Sequence, residues 1–383
     1  MLVGGFGNGF PVLFPALLAE FGGSRAATAL TLTLMWIGGA ALGPVAGYAV
    51  DRRDPRWLVS IGLAITVLGL VAGALAPSLP LFTTAVGAGV GIGVGLTGMV
   101  THAAIVADAY TVRRGFATGI AFSGSMAGYV LAIPATWAIG VVGWRGALLG
   151  WAAAVLALVP AVWWTYPARL GRAHPGGGAR VRVPVLSTVL SVPFAALAIL
   201  FTIAPCVGYL ATTQHAVYAE SLGFSAWEAS AMLVAGGVLS TAGRAVAGLA
   251  SDRLGAPATG FVSYAMTLLG TLALVALDLW PGRALAYAYV LFIFMPLGTR
   301  ATIVSVLVGR IAAPGAFGTV FGLLAIGNNL GAGAGPLLSG LIYDRTHSYL
   351  AIYLTAVALV TIALIALTIF VRTTRRAPAS GVG

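Results

Sequence analysis

Charge is nearly absent from long reaches of this chain, and that absence restricts the fold more than any other feature. Of 383 residues, 60% are hydrophobic and only 8% are charged. The charges gather in short polar breaks between apolar stretches, each about as long as the roughly 20 residues that cross a bilayer core about 30 Å thick. In hydrocarbon every backbone N–H and C=O must be bonded within the protein, so a stretch of that kind folds as a helix. Twelve qualify: Met1–Ala19, Thr28–Val50, Trp57–Ala76, Leu81–Ala107, Gly115–Ile139, Trp144–Tyr166, Pro193–Ala219, Ala226–Ala250, Pro257–Leu279, Ala284–Gly309, Phe317–Tyr343 and Tyr349–Val371. The expected class is an all-α membrane protein with the lipid bilayer as its solvent.

The long polar stretch Pro167–Pro184, rich in Gly, Pro and Arg, divides the spans into two sets of six. We therefore expect a six-helix bundle over 1–166, a cytoplasmic linker over 167–186, a second bundle over 187–371 and a cytoplasmic tail over 372–383. All twenty basic residues are arginine. With both termini inside, fourteen of them fall at the cytoplasmic face and four (Arg25, Arg145, Arg283 and Arg345) outside, so the positive-inside rule sets the orientation in the inner membrane. The net charge of +11 is then a signal of topology and lipid headgroups, and nucleic acid is not an expected partner. The first span lacks a charged leader and a cleavage site, so it is read as a retained helix; nothing precedes it, which suggests a start further upstream. Cys206, the single cysteine, lies within an apolar span and is read as packing.

An eight-residue pattern occurs twice, at Val45–Arg52 and at Val246–Arg253, 201 positions apart. The pairs Gly22/Gly223, Ser24/Ser225 and Phe116/Phe317 keep the same offset, so the two halves are duplicates. Ser225 with Glu228 reads as a capping box at the start of the eighth span. Asp51 and Asp252 close spans two and eight, where each carboxylate can meet the positive end of a helix from the other half: the eleventh span for Asp51, the fifth for Asp252. Gly47 and Gly248 would allow that approach, and Arg52 and Arg253 follow the acids. The plainer alternative is a solvated loop start.

Gly47-x-x-x-Asp51-Arg52 and its twin at Gly248 resemble the loop signature of the major facilitator superfamily. The usual ending of that signature is replaced here by Asp54-Pro55-Arg56. The resemblance covers the whole chain. It implies two pseudosymmetric six-helix bundles, alternating access, and an inner gate of Gly47, Asp51, Arg52, Gly248, Asp252 and Arg253. Three segments look like the monocarboxylate transporter and oxalate–formate antiporter branch: Phe14–Ala26, Arg113–Gly128 and the run from Gly322 to Asp344.

Arg244 lies eight residues before Asp252, about 12 Å into the membrane at 1.5 Å per residue. A guanidinium there cannot lose its proton and presents a fork suited to a carboxylate. In the branch it resembles, an arginine four residues before this glycine binds the substrate carboxylate, which implies the same of Arg244; a structural ion pair is the alternative. Arg300, on the tenth span, could grip a second carboxylate or snorkel to the headgroups. Asn328 stands where oxalate-type antiporters place a lysine. Asn8 and Ser240 stand where animal monocarboxylate transporters place their coupling lysine and aspartate.

His102 and His215 remain as proton-coupling candidates, each with hydrogen-bonded packing as its alternative, and His215 could also touch substrate. The expected cargo is a small carboxylate, a monocarboxylate first, moved by a monomer alone or with a proton or counter-anion. An exporter of hydrophobic compounds is the competing reading, and a non-transporting receptor a more distant one. No cofactor is expected, and no nucleophile with a partner, acid–base pair or metal cluster suggests an enzyme. Gly93-x-Gly95-x-x-Gly98 imitates a dinucleotide fingerprint, but within an apolar span it reads as helix packing.

Overall fold

The backbone meets the lipid constraint by making helices, and among the described residues no other regular element occurs. The computed structural model describes residues 2–50, 54–98, 101–102, 105–106, 127–166, 168, 185–312 and 317–376. In chain order the helices begin α1 Leu2–Phe21, α2 Arg25–Val50, α3 Pro55–Ala74, α4 Leu79–Thr97, α5 Ala127–Val130, α6 Ala132–Leu156, α7 Leu158–Thr165 and α8 Val185–Val189. They continue α9 Val192–Thr212, α10 His215–Ser221, α11 Ala226–Leu254, α12 Ala256–Leu279, α13 Arg283–Leu297, α14 Arg300–Val308, α15 Phe317–Thr346 and α16 Tyr349–Arg376. The expected seventh span is α9 with α10, and the tenth is α13 with α14. The first half of the expected fifth span, residues 115–126, and Asp51 and Arg52 lie outside the described residues.

Local chemistry fixes the helix ends. Asp54 accepts the N–H of Arg56 at 2.8 Å and Pro55 opens α3, so Asp54-Pro55-Arg56 is a helix start. The duplicated serines do one job twice: Ser24 accepts the N–H of Ala27 at 3.0 Å, and Ser225 that of Glu228 at 3.2 Å. Glu228 returns the bond to the Ser225 N–H at 2.8 Å, which completes the expected box. Gly143, at φ 72°, makes the turn inside α6 where two spans meet.

The chain divides into two units. The first contains Met1–Pro175 with Thr212–Gly237 and Pro336–His347; the second contains Gly176–Ala211, Val238–Gly335 and Ser348–Gly383. The first unit is built on α4, whose glycines face two ways. A Cβ on Gly87, Gly91 or Gly95 would strike α2 at Leu34, Met35 or Leu42, whereas one on Gly89 or Gly93 would strike α3 at Gly69 or Thr66. Spacing of four residues keeps each set on one face, so backbones approach where lipid offers no hydrophobic drive of its own. Of the fingerprint-like glycines, Gly93 and Gly95 therefore act in packing and Gly98 ends α4. Phe6, Phe10, Phe14, Phe82 and Trp144 fill the space beside this crossing.

In the second unit Gly327, Gly331 and Gly335 of α15 repeat the device against Thr202, Pro205 and Cys206 of α9. Leu197, Leu200, Tyr264, Val304, Leu307 and Leu367 form its core. Large apolar side chains such as Leu68, Val142, Ile362 and Ile365 remain exposed, as lipid-facing positions should.

The glycine crossing is testable. A side chain at Gly91 would start 2.9 Å from the Met35 carbonyl oxygen, so Gly91→Leu should destabilise the purified protein by about 1–3 kcal/mol. Gly150→Ala, where a Cβ meets nothing within 4 Å, should leave the thermal unfolding midpoint unchanged.

Candidate functional site

At the end of the first unit that carries Arg25 and Arg145, charge is handled by capping. The carboxylate of Asp344, in the last turn of α15, accepts the N–H groups of Arg25 and Ala26 at 2.9 Å each. Those donors belong to the first turn of α2, which has no intrahelical partner for them and carries partial positive charge. Gly340, one turn before Asp344, lies against Ala26 and Arg25, and any Cβ there would collide with their backbone. The Arg25 guanidinium lies 3.5 Å from the centre of the Tyr343 ring and donates to Gln214 Oε1 at 2.7 Å. Gln214, 3% exposed, donates in turn to Ser339 Oγ at 2.8 Å.

This cluster joins α2, the joint between α9 and α10, and the end of α15. In the sequence, Arg25 stands out only as one of the four outer arginines. A signal was present: Gly340-x-x-x-Asp344-Arg345 is a third copy of the Gly-x-x-x-Asp-Arg pattern. Nearby, Glu20 accepts the Trp144 indole N–H at 2.8 Å and pairs with Arg145. Those two contacts, the Trp144 bond foremost, hold the Glu20 carboxyl below the usual carboxylate range.

The intramembrane cations belong to the second unit. Arg244 is half-buried on α11. The preceding residue, Gly243, lies so close to the Met295 carbonyl of α13 that no side chain fits, which fixes the backbone carrying Arg244. Asn328, on α15, is tied to α9 through a bond from Nδ2 to the Phe201 carbonyl at 3.3 Å.

Arg300 does not snorkel. It is 4% exposed, donates from Nη2 to Thr267 Oγ1 and lies over the Tyr264 ring with Cζ 4.3 Å from its centre. Arg300 thus meets α12, and Asn328 meets α9.

The histidines are in the first unit and both are engaged. His215, 2% exposed, places Nε2 2.9 Å from the Ala229 carbonyl and must donate there. His102 holds Nδ1 3.0 Å from the Gly98 carbonyl and Nε2 2.7 Å from the Tyr166 hydroxyl. A neutral ring fits both contacts when Nδ1 donates and Nε2 accepts. Of the repeated motif, Gly47 lies in α2 and Gly248 in α11, where a Cβ would meet nothing within 4 Å. Arg253 is exposed in the last turn of α11; Asp51 and Arg52, and the side chain of Asp252, lie outside the described residues. Among the described residues no group of His, Cys, Asp or Glu could hold a metal ion.

The architecture has many solved counterparts. A bacterial homologue of the human lysosomal transporter Spinster, in an inward-facing and unoccupied conformation, superposes with a TM-score of 0.72 at 17% identity, covering 98% of this chain and 95% of its own. A D-xylose–proton symporter gives 0.75 at 15% identity, covering 96% and 95%. A nucleoside transporter gives 0.79 at 13% identity, covering 96% of each. At such identities the likeness establishes the fold. No curated protein matches the sequence. Residues 1–305, however, match the sequence profile of the Major Facilitator Superfamily. The chain belongs to that superfamily and is a multi-pass, all-α membrane transporter.

Proposed function

We propose that this protein is a secondary transporter that carries a small organic anion, a monocarboxylate first, across the cytoplasmic membrane by alternating access. Its termini are then cytoplasmic, and the Arg25–Asp344 cluster faces outward. The observation that carries the anion reading is Arg244: a permanently charged side chain about 12 Å deep, half-buried and borne on a backbone pinned by Gly243. A guanidinium exposed to hydrocarbon would be costly, so its accessible part belongs to a wet path that a carboxylate can enter. We assign cargo contact to Arg244. Asn328, a neutral hydrogen-bonding group where the resemblance implies a second cation, favours one carboxylate over two.

The same reading gives the Asp344 cluster a mechanical role as the outer closure. Alternating access requires each end to close in turn, and a carboxylate on a helix start makes a reversible bond. Asp51 and Asp252, with Gly47, Arg52, Gly248 and Arg253, are the inner counterparts. His102, half-buried and joined to the Tyr166 hydroxyl, is the better-placed proton carrier. His215, enclosed and committed to the Ala229 carbonyl, serves packing.

Two outcomes follow. Arg244→Ala should lower the apparent affinity for a transported carboxylate by about tenfold to a hundredfold, the equivalent of a charged hydrogen bond at ~1.5–3 kcal/mol. Uptake into proteoliposomes measures this, and unchanged uptake by a well-folded variant removes Arg244 from the site. For the closure, a cysteine is placed at buried Thr213 in a Cys206→Ser background. Asp344→Asn should speed labelling by an impermeant thiol reagent applied from outside by about tenfold, through the same charged bonds. Equal rates with and without the carboxylate would show that Asp344 does not hold that end shut.

A further inference from the structure

Arg300 poses an unbalanced charge. Its guanidinium stays protonated at any physiological pH, and its side chain is 4% exposed within the second unit. Nη2 donates to Thr267, but among the described residues Nε and Nη1, both buried, have no hydrogen-bond partner. Three of the five N–H donors of the group are therefore unused.

The hydroxyls of Thr267, Tyr264, Ser263 and Thr299 cannot supply the missing charge, because they are neutral and already bonded. Thr267 spends its proton on the Ser263 carbonyl at 3.1 Å. Tyr264 donates to the Leu200 carbonyl at 2.7 Å and offers Arg300 only the face of its ring. Ser263 and Thr299 bond each other at 2.7 Å, and the Thr299 hydroxyl also reaches the Pro296 carbonyl at 2.8 Å.

Backbone polarity points the same way. Pro296 interrupts the tenth span, so α13 ends at Leu297 and α14 opens at Arg300. Thr299 turns back to Pro296 and does not cap α14 through its side chain. The amino end of a nine-residue helix and a guanidinium thus coincide in the middle of a span. Each repels a cation and attracts an anion.

We propose that Arg300 holds a small inorganic anion of halide size, resident between α12 and the start of α14 and separate from the cargo site at Arg244. A guanidinium this enclosed calls for a small partner, and the single charge of chloride balances the single cation. A bound anion also reconciles an arginine without a carboxylate partner with a stable bundle, because a buried charge left uncompensated is strongly destabilising.

The probe is chloride itself, with bromide as a second halide, titrated against sodium isethionate at constant ionic strength into the purified full-length protein. The thermal unfolding midpoint of the wild type should rise saturably with either halide, as for any ligand that binds the folded state alone. Arg300→Met, which keeps the bulk and removes the charge, should unfold at the same temperature with or without halide and match or exceed the wild type in isethionate. Arg300→Lys, a variant that keeps the charge but loses the fork, should need about ten times more halide for half-saturation. Arg244→Gln should respond as the wild type does.

A wild type indifferent to halide, as expected if water alone satisfies Arg300, overturns the proposal. So does a halide response that survives in Arg300→Met or disappears in Arg244→Gln. A response to formate or acetate that needs Arg300, with none to halide, would assign the group to cargo and also overturn it. Carboxylate uptake plays no part in the readout, so failure here leaves the assignment of Arg244 standing.

Discussion

Everything in this molecule follows from the requirement that backbone polar groups be satisfied without water. Helices meet that requirement within each span, and lipid then removes the usual reason for helices to associate, because hydrocarbon solvates leucine as well as a neighbouring helix does. Association must come from close contact. The glycines of α4 and α15 supply it at four-residue spacing, and the same positions in a water-soluble helix would cost stability. The rigidity of the site is a by-product: Gly243 against Met295 fixes the segment that carries Arg244.

Charge is expensive in this setting, so each charged group has a reason to be there. At the Arg25 end the reason is visible in the bonds. Asp344 completes the first turn of α2, Arg25 is spread over Tyr343 and Gln214, and Glu20 is shared by Trp144 and Arg145. None of these acids is left alone. Arg300 differs because its neighbours are content without it, and that difference distinguishes a ligand's place from a structural bridge.

Much of the fold was legible because hydropathy acts locally. The helices fall where the apolar stretches do, and the paired serines at 24 and 225 cap as their spacing implies. Contacts at long range were less legible. Arg25 and Asp344 are 319 positions apart, and neither residue by itself distinguishes a cap from a solvated loop. The third Gly-x-x-x-Asp-Arg could have revealed the pair, but it falls outside the 201-residue repeat that drew attention to the other two. For Arg300 the span and the charge were legible, but not the direction of the side chain. A 3.6-residue period cannot by itself separate a face turned to a cavity from one turned to α12, since both are spared from lipid. His102 and His215 were ambiguous for the same reason, and only their carbonyl partners, Gly98 and Ala229, decide how each ring is held.

Duplication and asymmetry together explain how such a chain can both move and bind. Under the proposed mechanism, α2 receives the carboxylate of α15 at its start and offers its own, Asp51, to the start of α15 at the other end. A rocking motion that makes one cap breaks the other, so two bonds of one chemical kind oppose each other and neither state is trapped. The shared Gly-x-x-x-Asp-Arg pattern suits that balance, because copies of one motif have similar strength. Binding needs the opposite. Four residues before the motif glycine the first half has Gly43 and the second has Arg244, so a guanidinium enters the membrane on one side of the symmetry only. Two cations facing one another across a pseudo-twofold axis would repel and would demand a dianion. A single one lets a monoanion neutralise the path it travels, which is why the cargo should be sought among small monocarboxylates.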